Sequence, residues 1–263
     1  MTLLQAAVLG LVQGLGEFLP VSSSAHLVLV PWLLGWTDPG LTFDVALHIG
    51  TLVAVVLYFW RDWLELILKA FTDIHSAKGR LFWHLVLASI PGAVGGYLLQ
   101  KKAETVFRSP GLIAFMLILM GFVLYWADRR GSKNIELENQ TLGTSLLIGL
   151  FQTLAIIPGV SRSGITMSMG MFRGMTREGA ARFSFLLSTP IIFGAAMVKL
   201  PGVISNPSVI TINFIIGVLI SCLTGIASIG FLLRYIQTRN FLPFAWYRFI
   251  LGALVIVIAV VRL

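Results

Sequence analysis

Two short stretches of this chain gather groups suited to phosphate chemistry. The first holds Gln13, Glu17, Pro20, Ser22, Ser23, Ser24 and His26. Gln13 and Glu17 are four apart, so on a helix they share one face, a turn from each other, and Pro20 with the serines then ends that helix. A carboxylate, a hydroxyl cluster and an imidazole converge at a chain reversal. The second stretch is PGVSRSG from Pro158, followed by Thr166. Gly159 and Gly164 allow tight backbone with free amides aimed inward, Ser161, Ser163 and Thr166 offer hydroxyls, and Arg162 is the one cation of an otherwise uncharged segment. Backbone amides, a helix N-terminus, hydroxyl donors and a forked guanidinium are the parts of a phosphate cradle. The plainer alternatives are that Glu17 caps backbone amides, that His26 is a satisfied interior histidine, and that Arg162 pairs with Glu17 to hold the two stretches together. The last is compatible with a cradle, since an arginine without ligand needs a counter-ion.

The elements that must position these groups follow from composition. Of 263 residues 57% are hydrophobic and 11% charged, against about 25% charged in average soluble domains. Too little polar surface remains to cover a soluble fold, so the chain reads as an all-α polytopic membrane protein. Six apolar runs are long enough to span, at 42–60, 81–99, 110–127, 182–200, 209–233 and 242–262. Residues 3–35 and 142–172 are apolar but broken midway by Pro, Gly and Ser, and backbone that leaves the helix at membrane depth must be buried in protein or line a wet cavity. These two read as re-entrant hairpins. Residues 61–80 suit an amphipathic surface helix. Lone Cys222 excludes a disulfide framework, and the N-terminus lacks the basic stretch of a cleavable signal peptide.

The hairpins resemble each other. GLVQGLGEFLPVSSSAH from Gly10 aligns with GLFQTLAIIPGVSRSGI from Gly149, matching Gly10 with Gly149, Gln13 with Gln152, Ser22 with Ser161 and Ser24 with Ser163. Beyond the hairpins Phe43 matches Phe183. The chain is then one membrane domain over 1–263 built on a duplication, with repeat 1 at 3–62 and repeat 2 at 142–200. Three spans between the copies make them inverted, as in many transporters. The net charge of +8 marks loops and lipid headgroups rather than nucleic acid. Arg61, Lys69, Lys78, Arg80, Arg129, Arg130, Lys133, Arg173, Arg177, Arg182, Arg234 and Arg239 fall on one side, and Lys101, Lys102, Arg108, Lys199 and Arg262 on the other. The richer side is cytoplasmic by the positive-inside rule, which puts both termini outside.

The sequence QGLGEFLPVSSSAH, together with PGVSRSG and Thr166, resembles the BacA/UppP undecaprenyl pyrophosphate phosphatases, and the likeness extends into FDVALHIGTL, FSFLLSTP and PFAWYRF. Two positions depart from the family pattern: Gln13 stands where some members have a second Glu, and Ala25 replaces a Gly before His26. The resemblance implies hydrolysis of the C55 pyrophosphate lipid to the monophosphate in the bacterial plasma membrane. That reaction recycles the carrier for peptidoglycan synthesis and is associated with bacitracin resistance. Arg162, Ser161, Ser163 and Thr166, with Ser22, Ser24, Gly159 and Gly164, are then expected to hold the pyrophosphate, and Glu17 with Gln13 to bind Mg²⁺ or Ca²⁺. The nucleophile is expected to be Ser23 activated by His26, three residues away on one helical turn, with water or His26 itself as alternatives. The cavity is expected to open outward, where the spent lipid is released.

A flippase or anion transporter built on the same inverted repeat is the main rival, and an anion channel a weaker one with a single deep cation. His48 either lines the cavity or makes an interior polar contact. Gly92, Gly95 and Gly96 suit close helix packing and would permit a homodimer.

Overall fold

The computed structural model describes residues 1–205 and 211–262. The side chain of Lys199, and the first two residues of the expected span 209–233, lie outside the described residues. Eleven α-helices are seen among the described residues: α1 Leu3–Phe18, α2 Ser23–Leu34, α3 Leu41–Tyr58, α4 Trp60–Thr72, α5 Ala77–Glu104, α6 Pro110–Arg130, α7 Leu142–Gln152, α8 Arg162–Phe172, α9 Arg177–Ser205, α10 Ile212–Thr238 and α11 Leu242–Val261. No strand occurs among them beyond a single bridge between Ile135 and Met175. Six helices, α3, α5, α6, α9, α10 and α11, are long and apolar enough to cross a bilayer, and they coincide with the six apolar runs. The chain is a multi-pass membrane protein.

The broken segments fold as two helical hairpins. At 16, 12, 11 and 11 residues, α1, α2, α7 and α8 fall short of the roughly 20 needed to span hydrocarbon at 1.5 Å per residue. Helix α4 buries only Leu66 and Ala70 and leaves Leu64, Ile67, Leu68 and Phe71 exposed beside its charges, as a surface-lying amphipathic helix does.

Small residues fix where the hairpins sit. Helix α1 lies so close to α10 that a methyl group at Gly10 would come within 2.4 Å of the Gly217 carbonyl oxygen. Helix α7 lies on α5 in the same manner, a methyl at the matched Gly149 reaching 2.1 Å from the Ala88 carbonyl. Interfaces of this kind let backbones approach where lipid offers no hydrophobic drive. The tips also share a feature. Ser22 and Ser161 adopt positive φ, 76° and 71°, and each caps the helix that follows, accepting from the amides of Ala25 and Gly164 respectively. Non-glycine residues rarely stay in that region unless their surroundings hold them there. Below the tips, Phe18 meets Phe185 edge-on at 5.3 Å within the largest apolar cluster, which also takes in Phe59, Phe183 and Ile229.

Candidate functional site

Glu17, in the last turn of α1, is 6% exposed and accepts bonds on both oxygens. Arg162 Nη2 donates to Oε1 at 2.9 Å. Ser23 Oγ donates to Oε2 at 2.7 Å and Gln13 Nε2 at 3.0 Å, while His48 Nε2 lies 3.3 Å from the same atom. Gln13 reaches Glu17 because they are one helical turn apart, as the spacing requires. Ser23 reaches it because Pro20 to Ser22 fold α2 back over the end of α1.

Arg162 opens α8 and crosses between the hairpins. Its second nitrogen, Nη1, donates to the Ser184 carbonyl on α9 at 2.7 Å, so the fork is held from two directions. Thr166 braces it: the Thr166 hydroxyl lies 2.7 Å from Ser184 Oγ and 2.8 Å from the Arg162 carbonyl. The two tips touch directly as well. The Gly159 amide donates to Ser22 Oγ at 3.0 Å, and Ser163 Oγ donates to the Leu19 carbonyl at 3.1 Å.

Several residues expected to face phosphate are thus engaged inside the protein. Gly164 N–H is taken by Ser161 Oγ, Gly159 N–H by Ser22, and Thr166 by its neighbours. Ser24 Oγ lies 3.3 Å from Ser22 Oγ. The expected Ser23–His26 contact is not formed. Side chains in a first helical turn lean back toward the N-terminus, and His26 Nδ1 bonds the Ser22 carbonyl, four residues back, at 2.7 Å. In the neutral ring that leaves Nε2 to accept from the Tyr247 hydroxyl at 2.5 Å, with the two rings stacked. Ser23 points the other way, toward Glu17.

Sequence reasoning missed three contributors and left a fourth open. Ser184, Tyr247 and Arg248 come from FSFLLSTP and PFAWYRF, which drew notice only through resemblance, and His48 was left between two readings. Arg248, in the second turn of α11, is fully buried and is a second deep cation where the sequence reading counted only Arg162; an ionisable residue within an apolar span is itself a signal of a functional site. His48 is oriented by donating from Nδ1 to the Asp44 carbonyl at 2.7 Å. Asp44 in turn pairs with Arg108, whose guanidinium also grips Asp38.

For a divalent cation, the informative atom is Gln13 Oε1, buried without a partner. Gln13 turns its amide nitrogen to Glu17 at 3.0 Å, so its amide would have to flip to present this oxygen beside the carboxylate, a pair that suits a hard ion taking its other ligands from water and phosphate. No cluster of three or more His, Cys, Asp or Glu able to hold a metal occurs among the described residues. Such an ion would therefore rest on few protein ligands.

Residues 6–254 match the family described as bacitracin resistance protein BacA. The undecaprenyl-diphosphatase of Moorella thermoacetica is 57% identical over 98% of both chains. That of Pelotomaculum thermopropionicum is 56% identical over 100% of this chain and 98% of its own. A third, from Desulforudis audaxviator, is 54% identical over 98% of each.

Proposed function

The chain belongs to the BacA family, and from that footing we propose that it hydrolyses undecaprenyl pyrophosphate to undecaprenyl phosphate and inorganic phosphate. It is a membrane phosphatase that returns the lipid carrier to peptidoglycan synthesis. The observation that carries the reading is the convergence of Ser23 Oγ and the Arg162 guanidinium on the two oxygens of the Glu17 carboxylate. A nucleophile, a base and an anion-binding cation are what phosphoryl transfer asks of a protein, where positioning and charge stabilisation supply most of the rate.

In the resting site Arg162 rests on Glu17. The incoming pyrophosphate, carrying more negative charge than one carboxylate, draws the guanidinium toward itself and leaves Glu17 free to act. Glu17 then takes the Ser23 proton as Oγ bonds to the terminal phosphorus, and the bond from that phosphorus to the bridging oxygen breaks. Its electron pair leaves with undecaprenyl phosphate. Water next attacks the phosphoserine, its hydroxyl staying on phosphorus and its other proton passing to a phosphoryl oxygen, while the proton held on Glu17 returns to Oγ as the Ser–O–P bond opens and dihydrogen phosphate departs. The first-turn amides of Ser23 and Ser24 on α2 and of Arg162 and Ser163 on α8, which have no intrahelical partner, and the Ser24 hydroxyl are the donors left for the headgroup, while the Ser22, Ser161 and Ser163 hydroxyls cap those turns and join the tips. Thr166 holds Arg162 in place. His26, tied to the Ser22 carbonyl and Tyr247, steadies the reversal that presents Ser23. A divalent cation, Mg²⁺ or Ca²⁺, held by Glu17 and Gln13 Oε1 would neutralise charge on the pyrophosphate oxygens.

The hairpins act as inverted copies whose tips complete one site, a reading supported by the matched positive-φ serines and matched glycine crossings. The excess of Lys and Arg on one side supports termini outside and a cavity opening outward in the bacterial plasma membrane. The test is phosphate release from undecaprenyl pyrophosphate by detergent-purified protein with Mg²⁺ or Ca²⁺. No release, together with vectorial lipid movement in liposomes, would replace the phosphatase with a flippase.

A further inference from the structure

Arg248, near the start of α11, is buried on every side and donates to four carbonyls. Nε meets Leu117 O at 3.3 Å, Nη1 meets Pro20 O at 3.1 Å, and Nη2 meets both Gly159 O and Val160 O. Pro20 belongs to the first reversal and Gly159 and Val160 to the second. One guanidinium therefore bonds both tips, through backbone carbonyls that Arg162 does not touch. Among the described residues it makes no ion pair with a carboxylate, whereas Arg162, Arg108, Arg177 and Arg182 all do.

Carbonyl oxygens satisfy its N–H groups but carry only partial charge, and an uncompensated full charge in a low-dielectric interior is costly. Its surroundings add to the imbalance rather than relieve it. Nη1 lies so near the first turn of α8 that a methyl on Gly164 would come within 2.9 Å of it, and a helix N-terminus is itself positive. If holding the tips together were the whole task, apolar packing or a neutral donor would do it without a charge.

We propose that Arg248 is a positioning residue for the phosphatase reaction. It clamps the two reversals in register, and its charge, left without a carboxylate partner, contributes to the positive potential that receives the lipid pyrophosphate. The proposal rests on the hairpin tips being the pyrophosphate site. It separates two effects that a merely structural arginine would not separate: geometry, needed for turnover, and charge, needed for anion affinity.

The experiment uses purified full-length protein. Phosphate release gives kcat and KM, inorganic pyrophosphate serves as competitive inhibitor, and a melting curve in detergent reports folding. Arg248→Met removes charge and clamp, and is expected to raise KM and the pyrophosphate inhibition constant about tenfold or more as well as lowering kcat. Arg248→Lys keeps the charge, but a single ammonium cannot span both turns. Its inhibition constant should stay within about threefold of the parent while kcat falls about tenfold or more. A folded Arg248→Met with unchanged inhibition overturns the electrostatic part, and a folded Arg248→Lys with unchanged kcat overturns the clamp.

Should Arg248→Met fail to fold, Gly164→Ala presses on the guanidinium without removing it. Combined with Arg248→Lys it closes a double-mutant cycle. Coupling between the two substitutions is expected, and simple multiplication of their effects on kcat rejects the proposal. A parent protein that releases no phosphate and is indifferent to pyrophosphate would instead remove the phosphatase reading beneath it.

Discussion

Replacing Glu17 by Gln separates a catalytic carboxylate from a structural counter-ion. Glu17 Oε1 serves Arg162, and Oε2 serves Ser23 and Gln13 with His48 close by. In Glu17→Gln one oxygen becomes an amide nitrogen, and whichever side it takes, donor meets donor. Bonds to a charged acceptor are worth about 1.5–3 kcal/mol each, and removing one partner of a buried ion pair costs about 3–5 kcal/mol. Both Glu17 and Arg162 are largely buried, so the upper range applies and the melting temperature should fall clearly. Activity should fall further than stability explains, because general-base assistance is worth about 10²–10⁴-fold in rate. Glu17→Asp keeps the charge but withdraws the carboxylate by about one C–C bond, ~1.5 Å, which takes it out of contact with a serine now 2.7 Å away. A misplacement of that size costs about 10²-fold. The assay is phosphate release at saturating Mg²⁺ or Ca²⁺, paired with melting curves on the same preparations. The reasoning is refuted if Glu17→Gln melts lower yet keeps kcat within about threefold of the parent. Glu17 would then be only the resting partner of Arg162.

Arg162→Lys keeps a cation but loses the fork that bonds Glu17 and Ser184 together, and kcat/KM should drop about 10²-fold; steady-state kinetics check it, and a loss under about threefold would mean that point charge alone suffices. His48→Gln retains a donor that can address Glu17, whereas His48→Leu does not. Turnover should therefore survive the first substitution and fall about tenfold in the second, and equal rates in both would remove His48 from the site. Gly149→Leu forces a side chain into the Ala88 backbone and should destabilise by about 1–3 kcal/mol or more, read as a lower melting temperature in detergent. A cysteine placed at Ser24 should react with a membrane-impermeant thiol reagent from outside intact cells, and labelling only after the cytoplasmic face is exposed would invert the assigned orientation.

The spans and hairpins were legible because lipid imposes a simple rule: backbone polar groups must be satisfied within the segment, so long apolar runs are helices and broken ones are sheltered. Glu17 and Arg162 stood out for the same reason, as ionised residues where ionisation is expensive. What sequence order conceals is which neighbour each group selects. Ser23 and His26 are three apart on one helix, yet Ser23 turns to α1 and His26 to α11, because the reversal at Pro20 places Glu17 nearer than any same-helix partner. Tyr247 lies 221 residues from His26 and Arg248 between 88 and 228 residues from the carbonyls it bonds, and no local periodicity carries such distances. Arg248 alone was discoverable, as a charge interrupting the run 242–262.

The glycine contacts of α1 with α10 and of α7 with α5 have a mechanical consequence. Backbones that leave no room for a methyl group cannot slide past each other, so each hairpin moves with the long helix it rests on. Relative motion is then concentrated at the seam between the tips, which is bridged by hydrogen bonds, the Glu17–Arg162 ion pair and the Arg248 guanidinium. Glu17, Ser23 and His26 ride on one side of that seam and Arg162 on the other. On the proposed mechanism, an opening wide enough to admit a lipid headgroup would part Glu17 and Ser23 from Arg162 as it opened. The arriving pyrophosphate, by drawing the cation across, would then bring them together again, so the proposed chemistry would be competent only while the substrate holds the seam shut.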